Sequence, residues 1–211
     1  MKNRIGIVDY GLCNLLNVYN AFIHLGGDAT IINNSKTIKD FTHIILPGVG
    51  AFKDGMKGLN DRKLIDPIKD HINQNKPFLG ICLGMQMMLD KSYEFGEVNG
   101  LGLIKGKVIK IPNKNPNGNK HKIPHIGWNE INYKRDSSFK VSNKLPMYFV
   151  HSYMVQCSNE DNVIASCDYN QIEIESIIKN GNSFGCQFHP EKSGKNGLKL
   201  LNAIIKHNYK S

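Results

Sequence analysis

Cys82 and the pair His189 and Glu191 are the residues of this chain best suited to act together. Cys82 lies in Gly80-Ile-Cys-Leu-Gly84, with a glycine two residues to either side. A thiolate is a strong nucleophile. His189-Pro-Glu191 comes much later in the chain. An imidazole moves the proton of a nucleophile, and a carboxylate orients the imidazole. Pro190 biases His189 towards an extended backbone, and residues two apart in an extended segment share one side. His189 and Glu191 are therefore expected side by side. Taken singly, Cys82 reads equally as a buried structural cysteine, and His-Pro-Glu as a turn at a strand end. Taken together, they are a nucleophile, a base and an orienting acid, the set that acyl transfer needs.

Such a set has to be positioned. The apolar run Pro77 to Ile81 predicts a buried strand, and Met85 to Leu89 predicts a helix. A strand, a sharp turn at a nucleophile and a helix make a nucleophile elbow. The flanking glycines suit a turn where backbones approach too closely for a Cβ. The first N–H groups and the dipole of the following helix favour a thiolate. Acyl transfer also needs donors for an oxyanion. The N–H of Leu83 is one candidate. The glycine-rich Pro47-Gly-Val-Gly50, at the end of another strand, offers Val49 and Gly50, although a plain strand-to-loop turn is the other reading.

The rest of the first half alternates strands with helices. Arg4 to Asp9, Asp28 to Ile32 and His43 to Leu46 predict strands. Leu15 to Leu25 predicts a helix that stops at Gly26-Gly27, and the apolar spacing of Leu64, Ile65, Ile68 and Ile72 predicts another. This alternation points to an α/β fold, a parallel sheet with helices on both faces. The second half is richer in strands: 101–111, 147–150, 162–167, 172–178 and 183–188, with a turn at Asn180-Gly181. Gly194 to His207 predicts an amphipathic helix. Residues 112–122 read as a polar, flexible insertion, so residues 1–211 are expected to form one domain.

Composition narrows the function classes. A chain of 211 residues, 40% hydrophobic and 21% charged, matches an ordinary soluble protein. No apolar run is long enough for a membrane span. The N-terminus runs straight into a strand, so no signal peptide and a cytoplasmic location are expected. The five cysteines lack paired or metal-ligand spacing, so no metal is expected and free thiols are. The net charge of +9 raises nucleic-acid binding. The charge is mostly lysine, with only Arg4, Arg62 and Arg135 as arginines, and it is spread along the chain. That pattern is a solvated surface, and no nucleic-acid partner is expected.

Gly80-Ile-Cys-Leu-Gly-Met-Gln86 together with Gln187-Phe-His-Pro-Glu191 resembles the class I glutamine amidotransferases, the triad glutaminases. Asp9-Tyr-Gly-x-x-Asn14, Pro47-Gly-Val-Gly-Ala-Phe52, Ile126-Gly-Trp-Asn129, Val150-His-Ser-Tyr153 and His189-Pro-Glu-Lys-Ser193 are more specific. They resemble the glutaminase subunits of imidazole glycerol phosphate synthases, from residue 4 to the C-terminal helix. The resemblance implies a flavodoxin-like sandwich: a central, mostly parallel sheet with helices on both faces and added antiparallel strands in the second half. It implies hydrolysis of L-glutamine by Cys82, His189 and Glu191 through a γ-glutamyl thioester, without a cofactor. It implies that Gly50, Gln86 and the segment Val150, His151, Ser152 and Tyr153 hold the glutamine. The Ser152 hydroxyl reads as strand-end packing, unlike the backbone there.

It also implies a (β/α)8-barrel cyclase partner in a heterodimer. Ammonia would pass into that partner, which makes imidazole glycerol phosphate and aminoimidazole carboxamide ribotide. Asn14, Trp128, Asn129, Tyr148 and Lys192 would face the partner; Trp128 has core filling as its other reading. Two features depart from the family pattern, the long 112–122 loop and Cys13 where relatives often carry glycine, and neither is expected to touch the triad. Related subunits feed ammonia to amidation of a surface-polysaccharide sugar, so that acceptor stays open on sequence.

Overall fold

The computed structural model describes residues 3–135 and 144–206. In chain order it contains β1 (Arg4–Val8), α1 (Leu15–His24), β2 (Asp28–Ile32), β3 (His43–Gly48), α2 (Phe52–Asp61) and α3 (Ile65–Asn73). Then come β4 (Phe78–Cys82), α4 (Leu83–Gln86), β5 (Leu89–Ser92), β6 (Val98–Asn99), β7 (Ile104–Lys110) and β8 (His125–Tyr133). The chain continues through β9 (Leu145–His151), β10 (Tyr153–Cys157), β11 (Val163–Tyr169), β12 (Ile172–Asn180), β13 (Ser183–Cys186) and α5 (Gly194–Lys206).

Nine strands form one sheet in the order β2-β1-β3-β4-β13-β12-β11-β8-β9. The pairings from β2 to β13 are parallel and those from β13 to β9 antiparallel. Every residue of β3 and β4 is buried. Such continuous apolar runs are what strands covered on both faces require. Along β1 the side chains alternate. Ile5 and Ile7 join a core with Val18, Phe22, Leu200, Leu201 and Ile204 of α1 and α5. Val8 joins the opposite core with Phe52, Met56, Leu59, Leu64 and Ile68, from α2 and the start of α3. Helices therefore cover both faces, as expected.

A second sheet, in the order β10-β7-β5-β6, packs into that second core through Leu89, Ile104, Val108 and Val155. Among the described residues, no helix is long and apolar enough to cross a membrane.

Three sequence expectations need correction. The helix expected over Met85 to Leu89 is instead the single turn of α4, and Leu89 opens β5. The carbonyls of Met87, Met88 and Leu89 accept from Leu101, Leu103 and Gly102, so tertiary bonds replace further helical turns. The helix α2 was not anticipated. The 112–122 loop is built rather than formless: Lys114 bridges Lys120, the Asn115 side chain caps the N–H groups of Asn117 and Asn119, and Asn117 reaches Gln171. His207, the expected end of the last helix, lies outside the described residues.

Candidate active site

The parallel strands β1, β3, β4 and β13 all end at one edge, where open α/β sheets bind ligands. Their carboxyl ends deliver residues 9–14, Val49 and Gly50, Cys82, and Gln187 to Glu191. Register brings these close, since Gly48 pairs with Cys82 and Cys186 with Ile81.

Cys82 joins β4 to α4 with φ 53° and ψ −107°. A positive φ is strained for a residue with a side chain, and such strain clusters at functional sites. The glycines make the turn possible. A Cβ on Gly80 would meet the Gly84 oxygen at 2.6 Å, and one on Gly84 the Leu46 oxygen at 1.7 Å.

His189 is buried and extended (φ −100°, ψ 96°). Its Nδ1 lies 2.7 Å from Glu191 Oε1, so the ring donates from that nitrogen. The backbone is tied down as well: His189 N–H donates to Tyr148, and the Ser193 hydroxyl donates to the His189 carbonyl. Nε2 has no formed hydrogen bond among the described residues, which leaves it for the proton of the neighbouring Cys82. Loose contacts of this kind are usual before substrate binds. Burial works against a charged ring here. Contacts with Cys82 and Glu191 outweigh it and raise His189 to about 10.

All five cysteines are free. Burial pushes Cys13 and Cys167 up to about 11 and raises Cys157 and Cys186 as well. Those four are poor sources of thiolate. Among the described residues there is no cluster suited to a metal ion.

A cleft of about 880 Å³ opens over Cys82. Its walls include Gly50, Gln86 and all of Val150 to Tyr153, so the sequence-predicted glutamine residues meet in one place. The polar groups of His151 are spent within the chain. Its Nδ1 bonds the Tyr153 carbonyl at 2.8 Å and its Nε2 faces His125 at 3.0 Å, so it is a wall rather than a hook. The Ser152 carbonyl accepts from Ile111. Asn113 and His121 line the same cleft. The bond from Asn117 and the stacking of His121 on Tyr169 hold the 112–122 loop at the rim of the cleft.

Leu83 opens α4, so its N–H has no intrahelical partner. Val49 is tied within the chain. Its N–H donates to the Leu12 carbonyl at 3.0 Å and is not offered to the cleft. Cys13 lies close by, with its sulfur 3.3 Å from the Pro47 carbonyl.

Part of the expected partner face is contiguous. Trp128 is 56% exposed, which excludes core filling. It pairs with Tyr148 across β8 and β9, the rings edge to face at 5.9 Å. Tyr148 is bonded to His189 through its carbonyl and to Ser193 through its N–H. Lys192 is the next residue after Glu191, and Asn14 is the residue before α1. Asn129 is the exception. Its amide is engaged inside the chain, with His125 Nε2 and the Asp168 carbonyl.

Sequence reasoning missed two charged residues of the cleft, Glu94 and Lys110. Glu94 is 7% exposed and accepts from the Phe52 N–H at 2.7 Å. No local pattern marks either residue, because β5, β7 and the turn after β5 are brought to Cys82 only by tertiary folding.

A strained cysteine elbow, a histidine–glutamate pair and a cleft at the carboxyl edge define a triad hydrolase of the α/β type. The chain belongs to the class I glutamine amidotransferase family: residues 6–207 match the family described as glutamine amidotransferase class-I.

Among its relatives, imidazole glycerol phosphate synthase subunit HisH 1 of Legionella pneumophila (strain Lens) is 45% identical over 210 residues. That match covers 96% of this chain and 99% of the relative. The HisH subunit of Caldanaerobacter subterraneus subsp. tengcongensis is 47% identical over 199 residues, covering 93% and 95%. The solved structure of PurLQS from Thermotoga maritima superimposes with a TM-score of 0.73 at 22% identity, covering 97% of this chain and 98% of that one. A glutamine amidotransferase from Thermotoga maritima gives 0.67 at 15% identity, covering 100% of both. These two structures speak to the fold.

Proposed function

We propose that this chain hydrolyses L-glutamine to L-glutamate and ammonia as one subunit of an imidazole glycerol phosphate synthase, in histidine biosynthesis. The observation that carries the chemistry is the Cys82 elbow beside the His189–Glu191 pair, opening into one cleft. The Cys82 thiolate attacks the side-chain carboxamide carbon, and the oxyanion faces the Leu83 N–H. His189 gives its proton to the departing nitrogen, ammonia leaves, and a γ-glutamyl thioester remains. His189 then takes a proton from water as it attacks the thioester. Glutamate is released and the thiol restored.

The cleft suits a free amino acid. The α-carbon of glutamine carries an ammonium and a carboxylate, and Glu94 and Lys110 bring the opposite charges. Ammonia passes to a (β/α)8-barrel cyclase docked on the face of Asn14, Trp128, Tyr148 and Lys192. The names of the relatives favour the histidine pathway over sugar amidation.

Glutamate production by the chain mixed with a cyclase of the histidine pathway and its nucleotide substrate tests this reading. Imidazole glycerol phosphate formed at the expense of glutamine supports it. Absence of both products, with the two proteins folded and mixed, rejects it. Glu94→Gln is expected to raise KM for glutamine by about tenfold or more, as loss of a charge-assisted contact.

A further inference from the structure

Gln187 stands two residues before His189, in the bend that follows β13. It is fully buried, at 0% exposure. Burying an amide costs free energy unless its hydrogen bonds are made. Its two ends meet two other residues of the site. Nε2 lies 3.7 Å from Cys82 Sγ, and Oε1 accepts from Gln86 Nε2 at 3.1 Å.

The direction of the amide is fixed from behind. Gln86 Nε2 also donates to the Tyr153 carbonyl, at 2.9 Å. A side-chain amide nitrogen has two protons, and both protons of Gln86 are now used. Turning Gln86 over would set its oxygen against the Tyr153 carbonyl. With Gln86 held, Gln187 has to present its oxygen to Gln86 and its NH2 to the sulfur. The Gln187 backbone is tied too, through its N–H to the Ser176 carbonyl at 3.0 Å.

We propose that Gln187 is a further residue of the catalytic centre, donating a side-chain N–H to Cys82 Sγ and favouring the thiolate. The proposal rests on Cys82 being the nucleophile. A thiol is a weak acceptor and a thiolate a strong one, so this bond gains strength when the proton moves to His189. The sulfur is thereby held between a donor and the base. The same chain of bonds leaves Gln86 only its Oε1 to offer the cleft, so Gln86 meets a substrate N–H rather than a carbonyl.

The test is the pH dependence of Cys82 alkylation by iodoacetamide, read by peptide mass spectrometry on the full chain. Gln187→Met keeps the length and removes donor and acceptor. Gln187→Glu keeps an acceptor for Gln86 and carries no N–H. The midpoint is expected to rise by about one pH unit or more in both, and more in the carboxylate variant. With the partner present, kcat should fall by about ten- to a hundredfold, the worth of a hydrogen bond to a charged group. A midpoint unchanged in both variants overturns the proposal, whatever happens to their melting temperatures.

If neither variant folds, the unsubstituted chain decides. The Gln187 side-chain NH2 resonances should move with the alkylation midpoint, and resonances that ignore it overturn the proposal. Alkylation of Cys82 at any pH in the unsubstituted chain keeps the nucleophile assignment separate from the role of Gln187.

Discussion

A side-chain carbon on Gly84 would stand 1.7 Å from the carbonyl oxygen of Leu46. The obstacle is backbone of the neighbouring strand β3, so no rotamer relieves it. Gly84→Ala must push α4 away from β3 and with it the turn that holds Cys82. A loss of about 3 kcal/mol or more is expected from overpacking against a fixed backbone. Gly26 is a useful contrast. Its φ is +75° but nothing lies within 4 Å of a Cβ there. Gly26→Ala should cost only about 1 kcal/mol, the conformational term alone. Urea midpoints of the two variants check the difference, and equal losses would contradict the close approach.

His189 and Glu191 should differ in weight. The imidazole carries the proton, while the carboxylate fixes its tautomer and supports its charge. His189→Ala is expected to cut glutamine turnover by about a thousandfold or more, and Glu191→Gln by about ten- to a hundredfold. Stability follows the same charge. Despite burial, His189 is raised from 6.5 to about 10 by Cys82 and Glu191. Its contribution is full below pH 6.5, declines as pH rises, and is gone above about 10. The stability gap between the wild-type chain and Glu191→Gln should therefore narrow from pH 7 to pH 10. Denaturant titrations at the two pH values measure it, and a widening gap would reverse the assignment.

The parts legible in the sequence are those fixed by short spacing. Gly-x-Cys-x-Gly has few reasons to exist besides a close turn, and His-x-Glu does bring base and acid together, although the extended backbone ends at His189 and a 3-10 turn over Pro190–Lys192 carries Glu191. The apolar runs of β3 (Ile44–Leu46) and β4 announce themselves for the same local reason. The helix α2 was hidden because Phe52–Asp61 carries Gly55 and Gly58, poor helix formers. Both are buried, and a Cβ on Gly58 would lie 2.4 Å from the Tyr10 oxygen. Packing against residues 9–14, rather than propensity, decides that helix. The strands β5 and β6 read Leu-Asp-Lys-Ser and Val-Asn, and only pairing with β7 and each other makes them strands. Glu94 and Lys110 escaped notice because the second sheet brings them to the cleft, Lys110 on β7 and Glu94 on the turn after β5.

Cys82 should be singled out by a reagent that needs both a thiolate and a base. Glutamine analogues with an electrophilic carbon, such as diazo-oxo-norleucine, are expected to label Cys82 and to leave the other four cysteines unmodified. Burial raises Cys13, Cys157, Cys167 and Cys186. Cys82→Ala should lose glutamine-dependent synthesis by about a thousandfold or more. Synthesis from added ammonium salt should survive, since that chemistry lies in the partner. Peptide mapping and the two assays check this. A Cys82→Ala chain that still hydrolyses glutamine would exclude Cys82 as nucleophile.

The hydrogen bond from Val49 N–H to the Leu12 carbonyl gives the isolated chain a reason to be slow. The expected oxyanion donor is turned away, and a missing donor costs about a hundred- to a thousandfold in rate. Gly50 follows with φ +106°, a conformation open to glycine, so the peptide between Val49 and its neighbours can turn at low cost. Leu12 lies two residues before Asn14, on the expected partner face. Docking that moves this loop would release the Val49 N–H towards the cleft. Glutamate production should rise by about a hundredfold or more on adding the cyclase partner and its nucleotide substrate. The Val49 amide should exchange slowly with solvent in the isolated chain and faster once the partner is bound. A chain that turns over glutamine at full rate alone would sink the switch and leave the triad untouched.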